Sequence, residues 1–429
     1  MFAGLGLAAF ALALCVPGPA WAGLRHKKQD ADGASPGKPA PKASQPPVFI
    51  IPVEPLGFFA PAAFYQGERA SLVSLDFLDE NRLLFTFRAP GLIHRTKFAE
   101  SERQVRAVVL SLPGGQINAE ALWSLHDRGR YLWMMKDGHF LLRDQDLLKQ
   151  GDASLELSPF LQFPGPVTWM RMDPTQQFLV TDSQEPAASP KAGQVGSPVT
   201  AQASIATGDD GSSDPPDLVL RILRRESGQV MLVSRVRTQV QLPISADGYL
   251  ETLRSTGRDW LLNLNYFTGG SKMLGKVESM CQPPVEFISQ TEAVANTCAS
   301  QGGRRLVAVS TEGLRLWDAP CPATQVWPLL VMSANGSVLA RETLSVSHPV
   351  EAFSPLSFDD VTGQLVEVYD AERGTLELKA PANPVLDGGG NVAISPSGKR
   401  VAILNAGSIQ VYELSAQAPA GQGNVQQAP

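Results

Sequence analysis

The stretch Asn391–Leu414, NVAISPSGKRVAILNAGSIQVYEL, constrains the fold more than any other. It divides into three short runs, NVAIS, KRVAILN and SIQVYEL, each rich in Val and Ile. Such residues fit a pleated, half-buried surface. Ser395-Pro396-Ser397-Gly398 and Asn405-Ala406-Gly407 separate the runs. Proline presets φ and glycine accepts positive φ, so both breaks have a mechanism.

Looser copies of this unit recur. Asp79-Glu80-Asn81, Asp173-Pro174-Thr175, Ala246-Asp247-Gly248, Ala334-Asn335-Gly336 and Pro396-Ser397-Gly398 all stand between two apolar runs. The first two turns are about 94 residues apart and the third and fourth about 88, close to twice a 40–45-residue period. Two further turns are therefore expected near 127 and 291. His126-Asp127-Arg128-Gly129 and Ser289-Gln290-Thr291-Glu292 fill those places. The longer gaps require insertions, which Gln184–Pro216 and Ser345–Gly363 supply. The period predicts seven units.

A second signature marks three of the units: VVLSLPGGQINA (108–119), ILRRESGQVML (222–232) and VYDAERGTLEL (368–378). Each reads as strand, polar turn ending in glycine, strand, with Gly115, Gly228 and Gly374 as the positive-φ positions. The two signatures together give four strands per unit. Four antiparallel strands repeated seven times resemble a β-propeller of the WD40/YVTN kind or of the quinoprotein-like kind. The residues that carry the resemblance are SPSGKR at 395–400, VYDAERG at 368–374 and Trp317-Asp318 in LRLWD. The chain is also similar to secreted bacterial propeller proteins of unassigned function, a resemblance that implies no activity. The expected fold is all-β, a propeller over residues 48–414 of seven four-stranded blades. The isolated run Val48–Val53 (VFIIPV) is expected to supply the missing fourth strand of the last blade and close the ring.

The ends read differently. Residues 1–22 resemble a secretory signal peptide: an apolar run, Leu5–Val16, ends at Ala20-Trp21-Ala22 before Gly23. Export to the periplasm or the extracellular space is expected. Residues 23–47 read as a disordered linker, 184–216 as a disordered insertion within a blade, and 415–429 as a disordered tail. No later stretch is long enough and apolar enough for a membrane helix. The net charge of −6 gives no reason to expect nucleic acid as a partner.

Three cysteines remain after the leader: Cys281, Cys298 and Cys321. Val285–Ile288 and Ala293–Cys298 read as a hairpin around 289–292. Opposite positions in a hairpin have a constant index sum, which puts Cys281 almost opposite Cys298, within the reach of a disulfide. Cys321, between Pro320 and Pro322, is left free.

The chain offers little local chemistry. Gly270–Val277 (GSKMLGKV) approaches the phosphate-binding loop pattern, but Val277 stands where Ser or Thr is needed, and the setting is strand-turn-strand. No G-x-S-x-G elbow occurs. The five histidines, at 26, 94, 126, 139 and 348, lack the spacing of metal ligands. No catalytic residue, metal or cofactor is assigned. His126, Asp127, Arg128 and Arg130 form the best candidate for a polar rim at a propeller mouth. Trp317-Asp318 reads as a structural pair, the indole packing within its blade.

These features favour a secreted, non-enzymatic binding or scaffold propeller, whose rim contacts a protein or a glycan. The alternative is a propeller enzyme of the lactonase, lyase or quinone-dependent dehydrogenase type. Such a site draws single residues from several blades to the central channel. Three or more acidic, His or Arg side chains turned inward at one mouth would mark it.

Overall fold

The computed structural model describes residues 45–60, 72–89, 102–126, 129–185, 218–298, 304–350, 356–386 and 388–414. The expected leader (1–22) and tail (415–429), most of the linker, and nearly all of the insertion 184–216 lie outside them.

The described residues form seven antiparallel sheets arranged in a ring, and their only helices are two three-residue 3₁₀ turns, Glu54–Leu56 and Phe358–Asp360. One strand, β1 (Phe49–Pro52), precedes the first blade. Blade 1 contains β2 (Ser74–Asp79), β3 (Arg82–Arg88), β4 (Arg103–Ser111) and β5 (Gln116–Leu125). Blade 2 contains β6 (Leu132–Met134), β7 (Phe140–Asp144), β8 (Leu147–Gly151) and β9 (Leu157–Gln162). Blade 3 contains β10 (Val167–Met172), β11 (Phe178–Gln184), β12 (Leu218–Arg224) and β13 (Val230–Val236). Blade 4 contains β14 (Gly248–Arg254), β15 (Asp259–Tyr266) and β16 (Ser271–Glu278). Blade 5 contains β17 (Val285–Phe287), β18 (Glu292–Cys298), β19 (Arg304–Ser310) and β20 (Arg315–Cys321). Blade 6 contains β21 (Gln325–Met332), β22 (Val338–Val346), β23 (Val361–Asp370) and β24 (Leu376–Ala382). Blade 7 contains β25 (Val392–Ile394), β26 (Arg400–Asn405) and β27 (Ser408–Glu413), and β1 completes it.

The closure follows the expectation. Phe49 pairs with Val411 and Ile51 with Ile409, so a strand from before blade 1 finishes blade 7. Pro52 sits on this edge strand, where its missing N–H costs nothing. Blade 4 is the exception to four full strands. Its inner position holds only an isolated bridge, Ile244 to Tyr249. Pro243 interrupts the donors there, although its carbonyl still accepts Leu250 N–H at 2.9 Å.

The core lies in the seams between blades. Leu83, Phe85 and Phe87 of β3 join Ile51, Val53 and Leu404 in the seam between blades 7 and 1. Leu84 of the same strand joins Trp123, Leu132 and Phe140 in the seam between blades 1 and 2. Likewise Val401 and Ile403 serve the seam with blade 6, whereas Ala402 and Leu404 serve the seam with blade 1. A central strand is therefore covered on both faces. That is why KRVAILN reads as a continuous apolar run instead of an alternating one.

The turns between the first two strands of a blade explain the SPSG pattern. Ser395 Oγ accepts Arg400 N–H at 3.1 Å, Ser333 Oγ accepts Val338 N–H at 3.0 Å, and Asp173 Oδ1 accepts Phe178 N–H at 2.7 Å. The side chain thus satisfies a backbone donor that a turn would leave without a partner. Gly336 and Gly398 close two of these turns at φ of 74° and 75°. A side chain on several turns then clasps a neighbouring blade. Glu80 Oε1 takes Ser397 N–H at 2.7 Å, Gln176 Oε1 takes Lys136 N–H at 2.7 Å, and Gln290 Oε1 takes Ala246 N–H at 3.1 Å.

One turn was misplaced by the period. Blade 1 ends with β5 at Leu125 and blade 2 begins with β6 at Leu132, so the turn inside blade 2 is Lys136-Asp137-Gly138. Met135 occupies the capping place that Ser or Asp holds elsewhere, as its N–H bond to the His139 carbonyl shows. The turn therefore lacked the usual signal. Gly270–Val277 forms the last turn and outer strand of blade 4, with its backbone committed to the ladder against β15.

Cys281 and Cys298 have sulfur atoms 1.98 Å apart and Cα atoms 5.7 Å apart, and Cys321 is buried apart from them. In the chain-entropy description a bond closing so short a loop contributes about 3 kcal/mol. Peptide mapping of the non-reduced protein is expected to yield a Cys281–Cys298 cross-link, with Cys321 alkylated only after unfolding. A cross-link that includes Cys321, or three thiols that alkylate freely, would contradict this arrangement.

Candidate functional site

The innermost strands carry a charged residue inside an otherwise apolar run: Asp76 in β2, Arg171 in β10 and Glu286 in β17. Their faces alternate, so Leu75 and Phe77 point into the seam while Asp76 stands on the opposite face. Arg130, just before β6, joins the three. The guanidinium of Arg130 is within electrostatic reach of Asp76, Arg171 and Glu286, although the four residues come from blades 2, 1, 3 and 5.

Arg171 donates through Nη2 to Glu286 Oε1 at 2.7 Å and through Nη1 to the Val285 carbonyl at 3.4 Å. This pair runs from blade 3 to blade 5, across the position where blade 4 has lost its inner strand. Ser74 donates to Asp76 Oδ2 at 2.6 Å. Arg130 donates through Nε to the Leu132 carbonyl at 3.2 Å, and no ion pair to a carboxylate forms at its Nη atoms among the described residues. Desolvation lowers the Arg130 pKa from its ordinary value, with Asp76 opposing that shift. The side chain nevertheless keeps solvent-accessible surface.

Tryptophans back the guanidinium groups. Arg130 and Arg143 both lie over the Trp133 ring, at 5.4 and 5.9 Å from its centre, and Arg171 lies 5.4 Å from the centre of Trp169. Such stacking orients a guanidinium without using its hydrogen-bond donors.

The proposed rim divides. Asp127 and Arg128 are outside the described residues. His126 is paired with Asp144: its Nδ1 is 3.1 Å from Asp144 Oδ1, whose other oxygen takes Lys149 Nζ at 2.8 Å. Burial would raise the Asp144 carboxyl, but hydrogen bonds from Lys149 and His126 outweigh it and hold the pKa below the ordinary value. Of the two described members of that group, Arg130 and not His126 belongs to the channel cluster. Trp317 also has a different partner from the one its sequence suggests. Its Nε1 donates to the Ala371 carbonyl at 2.6 Å and to Glu292 at 3.0 Å, while Asp318 pairs with Arg305 at 2.7 Å. Among the described residues, no group of three His, Cys, Asp or Glu side chains is placed to hold a metal ion.

Period reasoning missed Asp76, Arg171 and Glu286 because about 95 and 115 residues separate them, and an interval of that size carries no local motif. The available signal was the lone charge within each innermost run, LDF, MRM and VEF.

No protein-family model matches the chain, and no curated protein is similar to it in sequence. Solved structures are similar in architecture. An acylaminoacyl peptidase of Pyrococcus horikoshii aligns at a TM-score of 0.47 and 7% identity, covering 81% of this chain and 52% of the peptidase. The chain thus spans about half the length of that enzyme. A hydrazine synthase of Kuenenia stuttgartiensis aligns at 0.43 and 9% identity, covering 83% of this chain and 99% of the other. Sqt1 of Chaetomium thermophilum aligns at 0.43 and 11% identity, with the same coverage of 83% and 99%. No functional property is carried over from these proteins. The structure itself is a seven-bladed β-propeller.

Proposed function

We propose that this propeller is an exported binding module that captures an acidic polypeptide segment at its central channel. The observation behind the reading is Arg130. It is a stacked guanidinium whose Nη donors meet no carboxylate among the described residues, in the field of charges from three other blades. A fork of that kind matches a carboxylate bidentately. A polypeptide is favoured over a glycan because Trp133 is 5% exposed and covered by two arginines, so its face is not offered to a sugar ring.

Charged groups converging from four blades also meet the geometric condition for the enzymatic alternative. Binding is preferred because the described histidines do not reach the cluster. His126 pairs with Asp144, His139 lies 3.2 Å from Asp137, and His348 lies 3.7 Å from Asp360.

Fluorescence anisotropy with a labelled hexaglutamate peptide tests the reading. The protein is expected to bind it, and Arg130→Gln is expected to weaken binding about tenfold, the loss of roughly one charge-assisted contact. Stronger binding of polygalacturonate than of the peptide would transfer the reading to a glycan. Equal binding by the wild type and Arg130→Gln, or no binding to either polyanion, would overturn it.

A further inference from the structure

Blade 4 leaves part of a hydrogen-bonding edge unfilled. The segment before β14 pairs with it only at one end: Ser245 N–H donates to the Gly248 carbonyl at 2.8 Å, and the Pro243 carbonyl accepts Leu250 N–H at 2.9 Å. Just upstream the chain is held elsewhere. Leu242 N–H folds back onto the Val240 carbonyl at 3.1 Å, and Val240 N–H goes to Asp182 Oδ2 of blade 3 at 2.9 Å. Val240 and Leu242 also pack with Phe178, Val236 and Ile244. These contacts commit residues 240–242 to blade 3, so they do not run beside the end of β14.

In an antiparallel ladder, successive residues turn their backbone groups alternately to the two sides. Leu250 turns its N–H away from β15, toward Pro243, so Thr252 and Arg254 turn theirs the same way. Neither the N–H nor the C=O of Thr252 and Arg254 has a hydrogen-bond partner among the described residues. The stretch is open to solvent as well. The second strands of blades 3, 5 and 6 are buried almost throughout, whereas β14 is buried only from Gly248 to Leu250, and Leu253 is 39% exposed. Thr252 Oγ1 accepts Gln282 Nε2 at 2.8 Å, which holds the strand from the blade 5 side. Arg254 and Arg258 are exposed, and neither meets a carboxylate among the described residues. The two acidic side chains closest to them in sequence are engaged, Glu251 by Asn265 Nδ2 at 2.8 Å and Asp259 by Lys276 Nζ at 2.5 Å.

We propose that an acidic polypeptide segment adds to β14 as the missing inner strand of blade 4, its backbone bonding to Thr252 and Arg254 and its carboxylates meeting Arg254 and Arg258. Unpaired N–H and C=O groups on alternate residues match the spacing of an extended backbone. The inner position of a blade lies within the ring, so it admits an extended segment and not a second folded copy of the chain. The acidic character of the segment rests on the channel reading above; the open edge does not.

Hydrogen exchange resolved to single amides tests this on the wild-type chain. Saturating hexaglutamate is expected to slow exchange at Thr252 and Arg254 about tenfold or more. Thr252→Pro removes a donor that the fold leaves unused, whereas Thr252→Val keeps it. Thr252→Pro is expected to weaken hexaglutamate binding about fivefold, the loss of roughly one backbone hydrogen bond, and Thr252→Val to leave it unchanged. Binding that is weakened by Arg130→Gln but gives no protection at Thr252 and Arg254 would overturn this proposal and leave the channel reading standing. Protection at both amides with equal binding by Arg130→Gln would support it and overturn the channel reading. Equal binding by Thr252→Pro and the wild type, or no hexaglutamate binding, would overturn it.

Discussion

A chain that begins at residue 54 is expected to lose its cooperative fold, or to unfold far below a chain that begins at residue 45. The two differ only by the segment that contains β1. Removing it strips the ladder partners Phe49 to Pro52 from β27. It also removes Ile51 and Val53, 4% and 1% exposed, from the seam between blades 7 and 1. Two such side chains and the lost ladder bonds together amount to about 5 kcal/mol or more. That is comparable to the whole net stability of an ordinary domain. The truncation would also expose β27 as an open edge and favour aggregation. Calorimetry and light scattering on the two chains decide the matter. Equal melting temperatures would mean that β1 does not close the ring.

The second large effect is a dependence of stability on pH. Asp182 of β11 is fully buried. Its Oδ2 accepts Val240 N–H at 2.9 Å, while Oδ1 has no hydrogen-bond partner. Burial raises its pKa from 3.8 to about 7, against the lowering effect of the Val240 bond. Between those values the folded chain holds a proton that the unfolded chain has released. Stability from this group is therefore fully present below about pH 4, is lost as pH rises through the folded value, and stays lost above it. A shift of this size corresponds to an upper bound of about 4 kcal/mol. Glu292 adds a slope of the same sign, because burial raises it to about 7 despite the bond from Trp317. Asp182→Asn keeps an acceptor for Val240 and cannot ionise. Denaturant unfolding at pH 5 and pH 8 is expected to show the variant gaining on the wild type as pH rises. An unchanged difference between the two across that range would show that Asp182 is not protonated in the folded protein.

Much of the architecture was legible because the forces behind it act locally. Apart from β1 in blade 7, each blade is a meander of sequence neighbours, so its turns appear as Ser, Asp, Pro, Asn and Gly at fixed places between apolar runs. Ser395, Ser333 and Asp173 are visible in the sequence because each must satisfy a backbone donor within its own turn. Where that residue is Met135, the period argument set the turn at 127 instead of at 137. The reduced inner strand of blade 4 was overlooked for a related reason: Pro243 weakens a ladder, but whether a neighbour restores it is decided in space.

The candidate site was hardly legible. Of the four residues foreseen at a rim, Arg130 joins the channel cluster and His126 is tied to Asp144. The partners of Arg130 lie on three other blades, and nothing in their local sequence requires them to meet. Sequence by itself determined that this chain repeats a four-stranded unit and that a run before the first unit completes the last, since backbone pairing and apolar periodicity repeat along the chain. Only the tertiary structure decided which charges face one another. Ring closure brings Asp76, Arg130, Arg171 and Glu286 within electrostatic reach, and a Coulomb interaction depends on distance in space, not on separation along the chain.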